Sequence, residues 1–351
     1  MPRGEVRGRF IGLEHLVPDQ RRLCGWSDGS SRTGDGLAFR TGDVLFAALR
    51  PEARKLALAP WSGVASPEIL VLRPRSPTLT GALLAWLAHP TTVAAVCRRT
   101  HGTRMPRIRW TELAGLRWPP DANIDDLQAF HVLFERRLHL LHQREQALTE
   151  LLTAAWSPGP TPVPLSAVLR LRGPTQPADR WPAHTEHLTV ADLASNTAAV
   201  QRWPSARPQS SQRPVHRGDL LVARIRPELH KVALSPVAGA CTPELLALDA
   251  LPGWRAVALS FLLQPSTRRA LMARATGTRM PRVPTRALLD LPLPVTEASA
   301  RIFEQRFGPA VDALTHSPSH ARHLRRLRRA IDDRLLRGEP TAGVSALAHT
   351  G

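Results

Sequence analysis

At 351 residues with 43% apolar content, the chain is long enough for two independent cores. Its formal charge of +18 points to a polyanionic partner, nucleic acid ahead of an anionic membrane. Three cysteines (Cys24, Cys97 and Cys241) without a C-x-x-C spacing exclude a disulfide framework and a structural zinc site.

The opening Met1-Pro2-Arg3-Gly4-Glu5 has no apolar signal segment, and no apolar run nears the ~18 residues of a membrane span, so a cytoplasmic protein with no membrane partner is expected. Short apolar runs at 44–49, 56–58 and 69–72, closed by Gly, Asp and Pro, read as strands. Residues 79–96 read as two short helices split at His89-Pro90, since the residue before proline disfavours the helical region. A turn at 102–107 and a short helix or strand at 110–118 follow.

Residues 124–156 contain no Gly or Pro, and Leu127, Phe134, Leu141 and Leu148 recur every seven residues. Leu138 and Leu152 complete an a/d seam, with Glu135, Arg136, Arg137, Gln143, Arg144 and Glu145 read as the polar remainder and His139 and His142 as surface. A helix of this length is ~50 Å long. That is comparable to ~15 base pairs of duplex.

After a Pro-rich break the chain repeats itself. Gly102-Thr103-Arg104-Met105-Pro106-Arg107 returns letter for letter as Gly277-Thr278-Arg279-Met280-Pro281-Arg282. The strand run from Gly42-Asp43 to Arg54-Lys55 matches Gly218-Asp219 to His230-Lys231, and Ser66-Pro67-Glu68 matches Thr242-Pro243-Glu244. The only two lysines, Lys55 and Lys231, fall at one equivalent place. Residues 165–169 read as the first strand of the second copy, and Glu186-His187-Leu188 echoes Glu14-His15-Leu16. A second long helix is expected over 298–336, with Phe303, Phe307, Ala310, Leu314, Leu324, Leu327, Ile331 and Leu335 inward. Gly308-Pro309 and Ser317-Pro318 are expected to kink or break it.

The layout is α+β: a first domain at 1–121, a long helix at 122–157, a similar domain at 163–295, a second long helix at 297–337 and a tail at 338–351. Two apolar seams are best buried against each other, as an antiparallel pair that holds the two basic modules apart. An ordinary oligomerisation bundle remains the alternative for the helices.

This order of elements, with Gly42-Asp43-Val44-Leu45-Phe46, Arg50-Pro51, Arg54-Lys55, Ser66-Pro67-Glu68, Gly102-Thr103-x-Met105-Pro106 and Leu116-Arg117-Trp118-Pro119-Pro120 before the helix, resembles the specificity (S) subunit of type I restriction-modification systems. The resemblance covers nearly the whole chain. It implies two target-recognition domains with pseudo-two-fold symmetry, each reading half of a bipartite double-stranded DNA sequence, and two helices that pair as a coiled coil and dock two methyltransferase subunits. It also implies a separate translocase–nuclease subunit, with S-adenosylmethionine, Mg²⁺ and ATP belonging to the partners and no cofactor or catalysis in this chain. Because such subunits are described with adjoining termini, Val344-Ser345-Ala346-Leu347-Ala348, which is similar to Leu165-Ser166-Ala167-Val168-Leu169, is expected to complete the first domain.

The residues themselves carry no P-loop, no amino-methyltransferase motif and no zinc spacing. The enzyme alternative is a metal-dependent nuclease built on Asp43, Glu52 and Lys55, repeated as Asp219, Glu228 and Lys231. The binding alternative is a stand-alone nucleic-acid scaffold without a methyltransferase.

For DNA contact the candidates are Arg50, Arg54, Lys55, Arg104 and Arg107 in the first copy and Arg224, Arg226, Lys231, Arg279 and Arg282 in the second, since arginine suits both phosphate and guanine. Positions shared by both copies should touch phosphate or hold the fold. Positions that differ should read bases, within 25–40 and 202–217. For the repeated turn the structural reading stands beside the phosphate one: Gly102 for a tight backbone, Met105 in the core and Arg107 paired with an acid.

Overall fold

In the computed structural model, residues 8–29, 36–195, 197–203, 205–206 and 210–339 are described. The tail expected to complete the first domain lies outside them. The chain divides into two compact units, residues 1–137 with 324–351, and residues 138–323.

The first unit begins with β1 (Arg9–Ile11), β2 (Leu16–Val17), β3 (Arg22–Leu23), β4 (Ser27–Asp28), β5 (Leu37–Phe39), β6 (Val44–Ala47), β7 (Leu56–Leu58), β8 (Gly63–Ala65) and β9 (Ile69–Leu72). One sheet runs β7-β6-β9 and another β4-β1-β8-β5, with β1 parallel to β8. The strand alternation decides the packing. Val44 and Phe46 face a cluster with Leu84, Leu87, Val96 and Ile108, whereas Leu45 and Ala47 face Ile11, Phe39 and Ala65 of the second sheet. Both faces of β6 are therefore covered, which is why it reads as an unbroken apolar run.

Helices α1 (Thr80–Ala88) and α2 (Pro90–Cys97) are separated as the sequence predicts: His89 is extended at ψ 137° and caps α2. After α3 (Trp110–Ala114) the long α4 runs Ile124–Ala154.

The second unit rebuilds the plan with β10 (Pro162–Pro164), β11 (Leu169–Leu171), β12 (Glu186–Leu188), β13 (Ser205–Ala206), β14 (Arg213–Val215), β15 (Leu220–Ala223), β16 (Val232–Leu234), β17 (Gly239–Cys241), β18 (Leu245–Ala250), α5 (Arg255–Leu262), α6 (Pro265–Arg274), α7 (Thr285–Leu289) and β19 (Pro292–Pro294). Its sheets are β11-β18-β15-β16 and β13-β12-β17-β14, and β10 pairs with β19. Leu220 and Val222 face the helices, while Leu221 and Ala223 face the other sheet. The chain then enters α8 (Glu297–Leu336).

Four expectations change. The segment expected as one strand at 165–169 is a 3-10 turn, Leu165–Ala167, and only then β11, because Leu165, Val168 and Leu169 all point into one core instead of alternating. The strand equivalent to Glu186-His187-Leu188 is Arg9-Phe10-Ile11, not Glu14-His15-Leu16: Ile11 pairs with Ala65 as Leu188 pairs with Cys241. Neither proline breaks α8; both Pro309 and Pro318 lie inside it. Buried Val311 and Leu314 between them hold the helix together although each proline removes one backbone bond. Leu327 is 44% exposed, and Arg328 occupies the inward position instead, paired with Glu135 at 2.6 Å.

Within the first unit α4 and α8 run antiparallel: Leu127 packs with Leu335 and Leu336 at one end, and Phe130 and Phe134 with Ile331 and Leu324 further along. A buried ion pair, Arg21 to Asp332, ties the β2–β3 hairpin to α8. Within the second unit Leu148 and Leu152 of α4 join Val311 and Leu314 of α8 in the main core. Glu145, read from the sequence as solvent-facing, is buried there: Ser317 Oγ donates to it at 2.6 Å and Gln201 Nε2 at 3.0 Å. The buried side of α4 therefore includes polar positions, Glu145 and Thr149, beside the leucine row.

Candidate nucleic-acid interface

Each unit has one loop cluster that its repeated residues build. It starts at the Gly-Asp turn, where Gly42 and Gly218 take φ of 90° and 87°. The following carboxylates turn inward. Asp43 accepts the Arg40 N–H and Asp219 the His216 N–H, each at 2.7 Å. Asp43 is then clasped by Arg73 through two bonds of 2.7 Å, and Asp219 by Arg172. Burial alone would raise the Asp43 carboxyl, yet the bonds from Arg73 and Arg40 hold it below its ordinary value. These acids are spent on the fold, which removes the basis of the nuclease arrangement. No metal-binding group of three acids, histidines or cysteines exists among the described residues.

Past the strand, a 3-10 turn is bracketed by two left-handed residues, Arg50 and Arg54 at φ 50° and 49°, matched by Arg226 and His230 at 50° and 46°. Each such residue stores about 1–2 kcal/mol of strain, which the surroundings must offset. They do so identically in both units. The Arg50 N–H donates to Pro106 O at 2.8 Å and the Arg226 N–H to Pro281 O at 3.2 Å, so each arginine turn is docked on its Gly-Thr-Arg-Met-Pro-Arg turn.

That second turn closes on itself through paired bonds between His101 and Arg107, and between Thr276 and Arg282. Arg107 pairs with Glu68, and Arg282 with Glu244 at 2.6 Å. Met105 is not in the core: it is 51% exposed, and Met280 is 55% exposed. The closed turn is too short to fold the thioether back, and the core position beneath is filled by Ile108 and Val283.

The structure thus groups Arg50, Arg104 and Arg107 on one exposed loop cluster, and Arg226, Arg279 and Arg282 on its counterpart. Other sequence-predicted candidates are engaged elsewhere. The Lys55 ammonium donates to Leu13 O at 2.7 Å, and that of Lys231 to Val190 O at 2.9 Å. Arg54 reaches Asp19 at 3.4 Å, and its counterpart His230 meets the Leu262 carbonyl at 2.8 Å. Arg224 is half-buried. Its main chain pairs with Glu244 and Val283 as that of Ala48 pairs with Glu68 and Ile108, so Arg224 and Ala48 are equivalent.

Sequence reasoning missed Arg9, whose guanidinium lies 5.4 Å from the Trp26 ring and 5.0 Å from Trp61. In the second unit Glu186 stands at that place, accepting from Trp203 Nε1 and Arg322 Nη1 at 2.8 Å each. Arg213 was missed too; it stood within a divergent stretch but had no motif to mark it.

No family model and no curated protein matches the chain. Among solved structures it is similar to the HsdS subunit from Thermoanaerobacter tengcongensis, at 19% identity over 95% of this chain and 90% of that one, with a TM-score of 0.36. A chain from the type I R-M system, studied for complex assembly and conformational transition, matches at 20% identity over 97% and 96%, with a TM-score of 0.37. The type I restriction-modification S subunit from M. genitalium matches at 13% identity over 97% and 90%, with a TM-score of 0.41. No single helix among the described residues is long and apolar enough to cross a membrane.

Proposed function

We propose that this chain is a non-catalytic specificity subunit of a type I restriction-modification complex, in which each unit reads half of a bipartite double-stranded DNA target. The observation that carries the reading is the twice-built arginine cluster: Arg50, Arg104 and Arg107 recur as Arg226, Arg279 and Arg282 on the same strained turn and the same closed loop, in a chain of charge +18. Identical cations on two copies suit the feature that is the same in every duplex, its phosphate backbone. The helices α4 and α8, each shared by both units, are the proposed docking surface for two methyltransferase subunits, with a translocase–nuclease subunit as a further partner. S-adenosylmethionine, Mg²⁺ and ATP belong to those partners.

The test is to co-express the chain with the methyltransferase subunit of its own operon and map methylated bases across the host genome. A two-part motif with a fixed gap is the expected outcome. Methylation at an uninterrupted motif, or DNA binding by a chain that recruits no methyltransferase, would overturn the reading in favour of a stand-alone scaffold.

A further inference from the structure

We infer that Arg213 and Arg224 are the base-reading pair of the second unit, and that they select guanine in the half-site this unit contacts. The inference rests on the proposed role in DNA recognition. It starts from a difference between two units that are otherwise built alike. Arg213 pairs with Cys241 in β17 as Leu37 pairs with Ala65 in β8, so Leu37 occupies the place of Arg213. Ala48 occupies the place of Arg224. Beside these positions the units agree: Glu68–Arg107 and Glu244–Arg282 are the same ion pair. One unit therefore adds two guanidinium groups where the other has an exposed leucine and an alanine.

Among the described residues neither guanidinium forms an ion pair, and the Nε of each is buried without a hydrogen-bond partner. Arg213 is fixed in place by its Nη1, which donates to the Arg172 carbonyl at 2.9 Å and to the Gly173 carbonyl. Burial, and then the charge of Arg224, lowers the Arg213 pKa, so the pair repel each other where they stand. An acceptor-rich ligand that meets their remaining terminal nitrogens would offset this repulsion.

The duplex backbone is the same under both units, so a phosphate contact would be kept in both. A contact built in one unit alone answers to what differs between half-sites, which is base sequence. Guanine presents O6 and N7 together in the major groove, the acceptor pair that a planar guanidinium matches.

The test uses the full chain with its partner subunits and a randomised duplex library. The wild type should enrich a bipartite motif; if it enriches none, the DNA-recognition reading fails before this one is reached. Arg224→Lys keeps the charge and loses the two-pronged geometry, while Arg213→Leu with Arg224→Ala installs the first unit's residues. Both should lose guanine preference in one half of the motif by roughly 10-fold or more and leave the other half unchanged. An unchanged motif with Arg224→Lys overturns the inference. So does an equal loss on every sequence, which would mark a phosphate contact. Because Arg224→Lys leaves the anchoring bonds of Arg213 intact, it decides the matter even if the double variant does not fold.

Discussion

Lys55 Nζ donates to the main-chain oxygen of Leu13, and its counterpart Lys231 does the same to Val190. The two acceptors lie at equivalent places, in or beside the 3-10 turn that follows β1 and β12. A lysine kept twice in an arginine-writing chain thus has a partner that needs a compact ammonium on a long stem, where a planar fork fits poorly. Lys55→Met keeps the stem and removes the donor. It is expected to cost about 1–3 kcal/mol in urea unfolding and to leave the salt dependence of DNA binding unchanged. A shallower salt slope with unaltered stability would move Lys55 to the phosphate contacts.

His131 supplies a pH dependence. Burial first, then the charges of Arg21 and Arg328, push it down to about 3. It is neutral in the folded chain and takes up a proton in the unfolded one below its ordinary 6.5. The unfolded state therefore binds more protons between pH 6.5 and 3, and stability falls as pH falls through that window. The slope is at most about 1.4 kcal/mol per pH unit. The urea midpoint of wild type should fall relative to that of His131→Leu on going from pH 7 to pH 5. Parallel curves would show the imidazole to be solvated.

Glu145 is buried among donors from Ser317, Gln201 and His142. Burial would raise its carboxyl, but those bonds bring it below the ordinary value. Glu145→Ala strands the donors and should cost about 1–3 kcal/mol. Ser317→Ala in the same background should cost less than it does alone, a coupling that a double-mutant cycle measures. Additive effects would mean that the two do not interact in solution.

Magnesium gives a direct check on the acids of the Gly-Asp turns. With Asp43 and Asp219 held by arginines, Mg²⁺ is expected to leave the melting temperature unchanged. An increase abolished by Asp43→Asn or Asp219→Asn would restore a metal site.

The repeat was legible because both copies keep the same glycines, prolines and arginines at turns, where backbone geometry restricts the choice. The strands around Val44 and Leu220 were legible for a related reason: burial on both faces leaves an unmistakable apolar run. Residues whose setting is made by distant partners were not. Arg328 and Glu145 look solvent-facing in any helical projection, yet Glu135, Ser317 and Gln201 make their burial tolerable. Met105 looked like core because it is apolar and duplicated; only the closure of its turn by His101 and Arg107 turns it out. In the same way the sequence placed Lys55 and Lys231 together but could not name the carbonyls they meet.

The exposed thioethers of Met105 and Met280 have a practical consequence. The chain holds four methionines, so mild peroxide should modify few sites, and these two matched ones should react at similar rates. Mass spectrometry of the sulfoxides would then act as a footprint with its own internal control. A duplex that seats both loops should shield both sulfurs, while a fragment holding only half a target should shield one.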